Sequence, residues 1–391
     1  MALADLFTAR FWTWRRLGAL AVQALIAAAV LAVAWAAAEN ALANLARLKI
    51  KTGFGFLERP AGFAIAQRLI PYSESSSYFA AFLTALLNTL VLALVAILIA
   101  TPLGFAIGVA RRASNQLVAG VATAYVETLR NIPLLLQLFF WYFAVLQTLP
   151  APSRSFSLFG LAFLNNRGLI LPAPADGGGT LAALGAIFAI GVLAAWGARL
   201  LRRRFEARGA SDRAALLPPA LAFGAPLLAV IAAAALLHWE RPVLSGFNFA
   251  GGIVVIPEFV AMSLALSLYS AAYIAEIVRA GLASVPGGQI EAARALGLPP
   301  AIVNLRVVIP QALRAIVPPL ANEHLRLLRN TTLAAAIAYP DLMLVFAGTV
   351  LNQTVQAFEV MAITVATYLA ISLAVSAAMN LYNRRVLRVG A

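Results

Sequence analysis

The feature that most constrains the fold of this chain is a series of apolar runs, each long enough to cross a lipid bilayer. The runs lie at about 17–38, 78–110, 134–149, 180–201, 216–239, 255–280, 331–350 and 358–381. An α-helix needs about 20 apolar residues to span the bilayer core. Hydrophobic residues make up 62% of the chain and charged residues 11%, against about 25% charged in a typical globular protein. The sequence therefore predicts an all-α, polytopic membrane protein with about eight transmembrane helices.

Basic residues are concentrated between these runs. A net charge of +14 would suggest a nucleic-acid partner in a soluble chain. Here the arginines flank apolar segments, where they orient helices by the positive-inside rule. With both termini inside, most of the 29 lysine and arginine residues lie on the cytoplasmic side, although the basic residues between 47 and 68 oppose the rule. The pattern predicts a multi-pass protein in contact with membrane lipids, with cytoplasmic termini and no nucleic-acid partner.

Residue types that the chain lacks exclude several kinds of site. The sequence contains no cysteine, which excludes disulfides, thiol catalysis and cysteine-based metal sites. Its two histidines, His238 and His324, are isolated and predict no metal cluster. Its two lysines, Lys49 and Lys51, lie outside any phosphate-binding P-loop pattern. We therefore expect neither an enzyme nor a bound cofactor, and any nucleotide chemistry must come from another subunit.

The first apolar run ends in small residues that resemble a signal-peptidase site. That run is longer than the 7–15 residues of a signal-peptide core, so it predicts an uncleaved helix. The segments 39–78 and 150–178 are polar or rich in proline, glycine and serine, which predicts external loops. Two alanine- and leucine-rich runs, 180–201 and 216–239, predict lipid-facing helices added between more polar spans.

A polar loop at 281–330 lies on the cytoplasmic side in this topology. Gln289 begins about two helical turns, and Gly297 suits the left-handed position that closes a helix. Pro299 and Pro300 then force a change of direction, because residues before proline avoid the helical region. The small side chains of the first helix predict that it lies in a groove of another protein.

Five polar residues lie near or inside the apolar runs: Asn88, Gln137, Asp341, Gln353 and Glu359. Polar groups at membrane depth are costly, so they indicate either a solute path or hydrogen bonds between helices. For Asp341, which follows a proline, a helix cap is an equally good interpretation. These residues form the predicted solute path, and each alternative stays open.

The loop also resembles a known family. Its motif is similar to the EAA loop of ABC-importer permeases. The motif consists of Glu291-Ala292-Ala293, then three residues and Gly297, and later Val307-x-Ile309-Pro310. Four further segments are similar to the polar amino-acid branch of these permeases: Asn88–Leu90, Arg130–Gln137, Tyr273–Arg279 and Asn330–Leu333. The additional spans resemble the long permease subunit of general L-amino-acid uptake systems.

The resemblance implies a type I importer permease core with extra helices, in a bacterial inner membrane. It implies a first core part at 79–150 and a second at 255–391, with the coupling loop at 281–330, beside an N-terminal anchor and loop at 1–78 and an insert at 151–254. The residues implied for coupling to the ATPase are Gln289, Glu291, Ala292, Ala293, Arg294, Gly297 and Pro310.

The implied partners are a cytoplasmic ABC ATPase dimer, which binds ATP and Mg²⁺, a second and different permease subunit, and a periplasmic amino-acid-binding protein. The implied function is ATP-driven import of L-amino acids. A second hypothesis is an ion-coupled secondary transporter of small polar solutes. That mechanism needs ionisable groups deep in the membrane, and the first, second, fourth and fifth apolar runs contain none.

Overall fold

Helices dominate the computed structural model, which describes residues 14–47, 53–175 and 239–387. The helices are α1 (Trp14–Arg47), α2 (Tyr78–Ala110), α3 (Gln116–Asn131), α4 (Leu134–Leu146), α5 (Pro257–Ala283), α6 (Gly287–Ala295), α7 (Pro300–Ile337), α8 (Met343–Val350 continuing as Leu351–Thr354) and α9 (Ala357–Leu387). Short 3-10 turns cover Phe54–Glu58 and Pro152–Arg154. The predicted fold class, a mainly helical membrane protein, is confirmed.

Four described helices are long and apolar enough to cross a membrane, namely α2, α5, α7 and α9. Helices α3 and α4 meet at an angle of 103° and together pass the same test, which gives up to five spans. Helix α1 contains a shorter apolar stretch, Ala21–Ala37. The predicted runs at 180–201 and 216–239 lie outside the described residues, so the total of about eight stays a prediction.

Helix α2 has the bounds that the sequence predicts. It begins after Ser77, whose hydroxyl accepts a hydrogen bond from the amide of Ala80 at 3.3 Å. Such a cap satisfies one of the free amides in the first turn of a helix. The helix ends at Ala110, before a pair of arginines. Local signals alone therefore placed both ends.

Glycines on α2 allow a close approach to α5. A Cβ atom added to Gly104 would lie 2.6 Å from the Cβ of Ile274. One added to Gly108 would lie 2.7 Å from the carbonyl oxygen of Ala275. Small residues four apart permit such packing in lipid, where helices gain little from the hydrophobic effect. The two helices form the centre of the molecule.

The segments 150–175 and 239–256 contain antiparallel strands, where the sequence predicted only a loop. One sheet has the order β1-β2-β3-β8, and two further pairs are β4 with β5 and β6 with β7. The strands are β1 (Phe156–Leu158), β2 (Ala162–Asn165), β3 (Gly168–Leu171), β4 (Ala173–Pro174), β5 (Trp239–Glu240), β6 (Val243–Ser245), β7 (Asn248–Ala250) and β8 (Ile253–Val255). Pairing of Leu169 with Val255 joins the segment after α4 to the one before α5.

The predicted loop at 281–330 is too long, and the predicted span at 331–350 is wrong. Helix α7 begins at Pro300 and runs through Ile337. Its arginines and prolines lower the local hydropathy, which hid the helix in the sequence. Ala338, at φ +60°, ends it in the left-handed conformation. The chain then breaks before α8, and Val355, at φ +57°, separates α8 from α9.

The segment 53–77 covers the N-terminal end of α2, which we call the outer end of the molecule, and the opposite end is called inner. A backbone bridge joins Pro60 to Ser77, and Phe56 packs edge-on against Tyr78 with ring centroids 5.9 Å apart. Phe56 and Phe346 are fully buried members of one apolar cluster under this segment. The predicted external loop thus folds over the helices as a cap.

Candidate functional site

Helix α6 lies between the membrane-spanning helices α5 and α7 and closes in the predicted way. Gly297 has φ +74°, and its amide donates to the carbonyl of Arg294 at 2.9 Å. The next amide, of Leu298, donates to the carbonyl of Ala293 at 3.3 Å. These two bonds form a Schellman motif, in which glycine takes the left-handed position at no steric cost. The predicted helix and its glycine stop are present.

The side chains of α6 divide into an inner and an outer set. Ala293 is buried, so it packs within this chain. Gln289, Glu291, Ala292 and Arg294 are exposed. The exposed set is available for contact with another protein, and its role in coupling stays a prediction.

Of the residues predicted for coupling, Pro310 lies within α7 and Gln289 contacts that helix. The exposed Pro310 is in the first turn of the α-helical part of α7, Ile309–Asn330. The side-chain amide of Gln311 donates a hydrogen bond to the side-chain oxygen of Gln289. Gln289 therefore links α6 to α7 while remaining at the surface.

Asn88 and the break between α7 and α8 form an outer polar cluster. The Asn88 side-chain amide donates to the carbonyls of Gln67 at 2.8 Å and Pro340 at 3.0 Å. The hydroxyl of Tyr339 donates to the carbonyl of Asn88 at 3.1 Å. Asn88, Tyr339 and Asp341 are each fully buried. The structure thus brings two of the five predicted solute-path residues to one place beside α2.

Asp341 has one of the two roles that the sequence left open, that of a helix cap. One carboxylate oxygen accepts the amide of Leu344 at 2.8 Å, which caps the start of α8. The other oxygen is buried and has no hydrogen-bond partner among the residues that the structure describes. A buried polar atom without a partner is costly and is often a sign of function. The capping role is observed, and the solute role stays a prediction.

The other three predicted solute-path residues lie apart. Gln353 accepts a hydrogen bond from the hydroxyl of Tyr78 at 3.0 Å, and Glu359 accepts one from the amide of Gly53. Gln353 therefore joins α8 to the start of α2, and Glu359 holds the segment 53–77 to α9. The amide of Gln137 donates to two carbonyls at the bend between α3 and α4, at 2.8 and 2.9 Å. Gln137 thus closes that bend.

Sequence reasoning missed an inner charged cluster that joins α2, α5 and α7. The Glu276 carboxylate pairs with Arg111, which directly follows α2, and with Arg279, the latter at 2.6 Å. On α7, Arg326 pairs with Glu323 at 2.7 Å. Its guanidinium also lies over the Tyr273 ring, 3.6 Å from the centroid. The sequence showed only that Glu276 and Arg279 are three residues apart, because Arg111, the other partner of Glu276, is distant along the chain.

Comparisons with known proteins agree with this architecture. The model of the family described as "Binding-protein-dependent transport system inner membrane component" matches residues 100–388. The chain is 48% identical to the putative amino-acid ABC transporter permease protein YhdX of Escherichia coli (strain K12), over 97% of this chain and 94% of that protein. It is 44% identical to the general L-amino acid transport system permease protein AapQ of Rhizobium johnstonii, over 90% and 88%.

A third relative is a glutamate/glutamine/aspartate/asparagine transport system permease protein, BztB, of Rhodobacter capsulatus. It is 39% identical over 89% of this chain and 88% of that protein. The resemblance to ABC-importer permeases that the EAA segment indicated is thus confirmed. From a family match over residues 100–388 and relatives that align along most of both chains, we conclude that this chain belongs to the binding-protein-dependent transport system inner membrane component family.

Proposed function

We propose that the chain is the transmembrane permease subunit of an ATP-driven importer of L-amino acids. Relatives named for amino-acid transport align with it over most of their length, which supports the solute class. One observation carries the coupling part of the proposal: α6 is an exposed helix with a fixed end, set between two membrane-spanning helices. The chain itself is not an enzyme, because in this family ATP hydrolysis belongs to a separate subunit.

In this mechanism α6 docks into the ATPase through Glu291, Ala292 and Arg294. ATP and Mg²⁺ bind to the ATPase subunits, and this chain holds no cofactor. Closure of the ATPase pair then displaces α6, and the displacement reaches α5 and α7 because α6 lies directly between them. Helices α5 and α7 pack closely, because a Cβ atom added to Gly281 would lie 2.3 Å from the side chain of Ile316. We therefore expect the two helices to move together. ATP binds the closed and the open ATPase pair with different affinities, and this difference alone biases the conformation of the permease.

The assembly that we propose contains two ATPase subunits, a second permease subunit different from this chain, and a periplasmic amino-acid-binding protein. The membrane is a bacterial inner membrane, with both termini of the chain in the cytoplasm. This orientation puts α6 on the ATPase side, and it puts the cap at 53–77 and the sheets on the side of the binding protein.

For the solute path we propose Asn88 and Asp341 as the principal polar groups. They meet at the interruption between α7 and α8, where helices that end inside the membrane expose polar backbone. The unpartnered oxygen of Asp341 is a ready acceptor for an ammonium group. Gln137, Gln353 and Glu359 are secondary candidates, since each already holds a structural hydrogen bond.

Reconstitution tests the proposal. The chain is co-expressed with its candidate ATPase, second permease and binding protein, and uptake of labelled amino acids is measured in proteoliposomes. We expect uptake that needs internal ATP and the binding protein and that persists when an ionophore collapses the proton gradient. Uptake that needs the gradient and ignores ATP would instead establish the ion-coupled alternative.

A further inference from the structure

An open cleft of about 420 Å³ lies between the C-terminal part of α5 and the middle of α7, and it shares no lining residue with the outer polar cluster. The small and apolar lining residues, which we call the floor, are Ile277, Ala280 and Gly281 of α5 and Ala315 and Pro319 of α7. The polar lining residues, which we call the rim, are Arg130, Tyr273, Glu276, Ser284 and Glu323. The volume is within the range of about 300–1,000 Å³ that small-molecule sites occupy.

The carboxylates at the rim are already neutralised. Glu276 is shared by Arg111 and Arg279, and both oxygens of Glu323 accept from Arg326 at 2.8 Å. A ligand cation would therefore have to displace an arginine from its partner. The cleft is unsuited to a ligand that is recognised mainly by its positive charge.

Arg130, in contrast, has a positive charge that no carboxylate among the described residues neutralises. It lies at the end of α3 and is exposed, and among the described residues it makes no ion pair. Its nearest acid along the helix, Glu127, lies beyond ion-pair distance. The Arg130 guanidinium is held over the Tyr273 ring, 5.0 Å from the centroid, on the same ring that holds Arg326. Cation–π contact fixes its position and leaves its N–H groups free to donate.

A planar guanidinium in this setting binds oxyanions, either a carboxylate or a phosphate, with two parallel hydrogen bonds. The four arginines around the cleft outnumber its two carboxylates, which adds long-range attraction for an anion. The apolar floor suits a short aliphatic side chain. Ser284 of the rim lies three residues before α6 begins, so on the proposed orientation the cleft lies near the inner face.

We infer that this cleft is a second solute site, in which Arg130 binds the α-carboxylate of an amino acid at the inner face of the permease. The inference rests on the proposed function, because it takes the solute to be an amino acid. It differs from the outer cluster, where Asp341 offers an acceptor and no arginine lies among the contacts. The cleft therefore holds the solute by its opposite end.

A single cysteine tests the site directly. The chain contains no cysteine, so Ser284→Cys places the only thiol of this chain in the cleft. The complete transporter with this variant is placed in lipid nanodiscs, and alkylation of this chain by N-ethylmaleimide is followed by mass spectrometry. We expect L-glutamine and L-glutamate to slow alkylation at least about fivefold, and 4-aminobutanamide, which lacks the carboxylate of glutamine, to leave the rate unchanged.

Two further variants on the same background identify the binding residue. Arg130→Gln should raise the half-protecting amino-acid concentration roughly tenfold or more, the size expected for a lost charge-assisted hydrogen bond. The matched control Arg112→Gln removes an exposed arginine that does not line the cleft and should leave it unchanged. A cysteine at the exposed Asn115, far from the cleft lining, should react at one rate with or without ligand.

Three results would overturn the inference. The first is protection by inorganic phosphate but not by the amino acids, which would make the cleft a phosphate site. The second is equal protection in Arg130→Gln, and the third is no protection at all in a transporter that imports these amino acids. If instead the same preparation with its binding protein imports no amino acid, the proposed function itself fails.

Discussion

Replacing Gly297 tests whether the closed end of α6 is needed for coupling. A side chain at this position has room, since no atom lies within 4 Å of an added Cβ. The cost of a substitution is therefore conformational, because φ is +74°. The left-handed region costs an ordinary L-residue about 1–2 kcal/mol, and asparagine less. Because a change of about 1.4 kcal/mol corresponds to a tenfold change in affinity, Gly297→Val should weaken ATPase binding roughly 5- to 30-fold.

Asparagine provides the comparison, since it is close to valine in size and tolerates the left-handed conformation. Gly297→Asn should bind the ATPase nearly as well as the native chain. Gly287→Ala is the matched control in the same helix, where the glycine has no positive φ and open space around it. Affinity is measured by titrating the purified ATPase onto the permease in nanodiscs, and insertion is checked by membrane fractionation. Native affinity in Gly297→Val would refute the reasoning.

Three other predictions concern the charge on α6, helix packing and the outer cluster. Glu291→Lys should insert normally but lose ATPase co-purification and uptake, and normal values of both would remove Glu291 from the docking surface. Gly104→Val should lower the thermal unfolding temperature of the permease, because the added Cβ meets Ile274 at 2.6 Å, whereas Gly120→Ala, with open space around it, should not. Asp341→Asn should change the affinity or selectivity of uptake while assembly stays intact, and unchanged kinetics across several amino acids would contradict a solute role.

Features set by local rules could be predicted from the sequence. The bounds of α2 follow from an apolar run between a serine cap and a pair of arginines, and the stop of α6 follows from one glycine before two prolines. Features set by distant contacts could not. The second half of α7 was hidden because Arg326 is interpreted as a loop residue until its partners Glu323 and Tyr273 are known. The strands have two to four residues each, too few to show an alternating pattern.

The same division explains why candidates for a solute path were harder to choose than candidates for coupling. The residues proposed for coupling lie in one short segment of the chain, so they can be recognised together. The outer cluster joins Asn88 to Pro340, which lie 252 positions apart, and the inner cluster joins Arg111 to Glu276 across 165. A polar residue inside one apolar run reveals only that it needs a partner, and five such residues gave no means of choosing among them. The structure brings Asn88 and Asp341 close together beside Pro340, and their role in a solute path stays a prediction.

The strand pairs also bear on how a permease can carry additional segments. Strand β4 pairs with β5, and Ala173 lies opposite Glu240. The two ends of the segment between these strands are therefore held side by side. Strand β3 pairs with β8 directly before α5, which fixes the start of that helix independently of the intervening residues. An insertion whose two ends are already held together adds little strain to the structure it interrupts. The core packing of α2, α5 and α7 can therefore be kept while the length of the intervening segment varies.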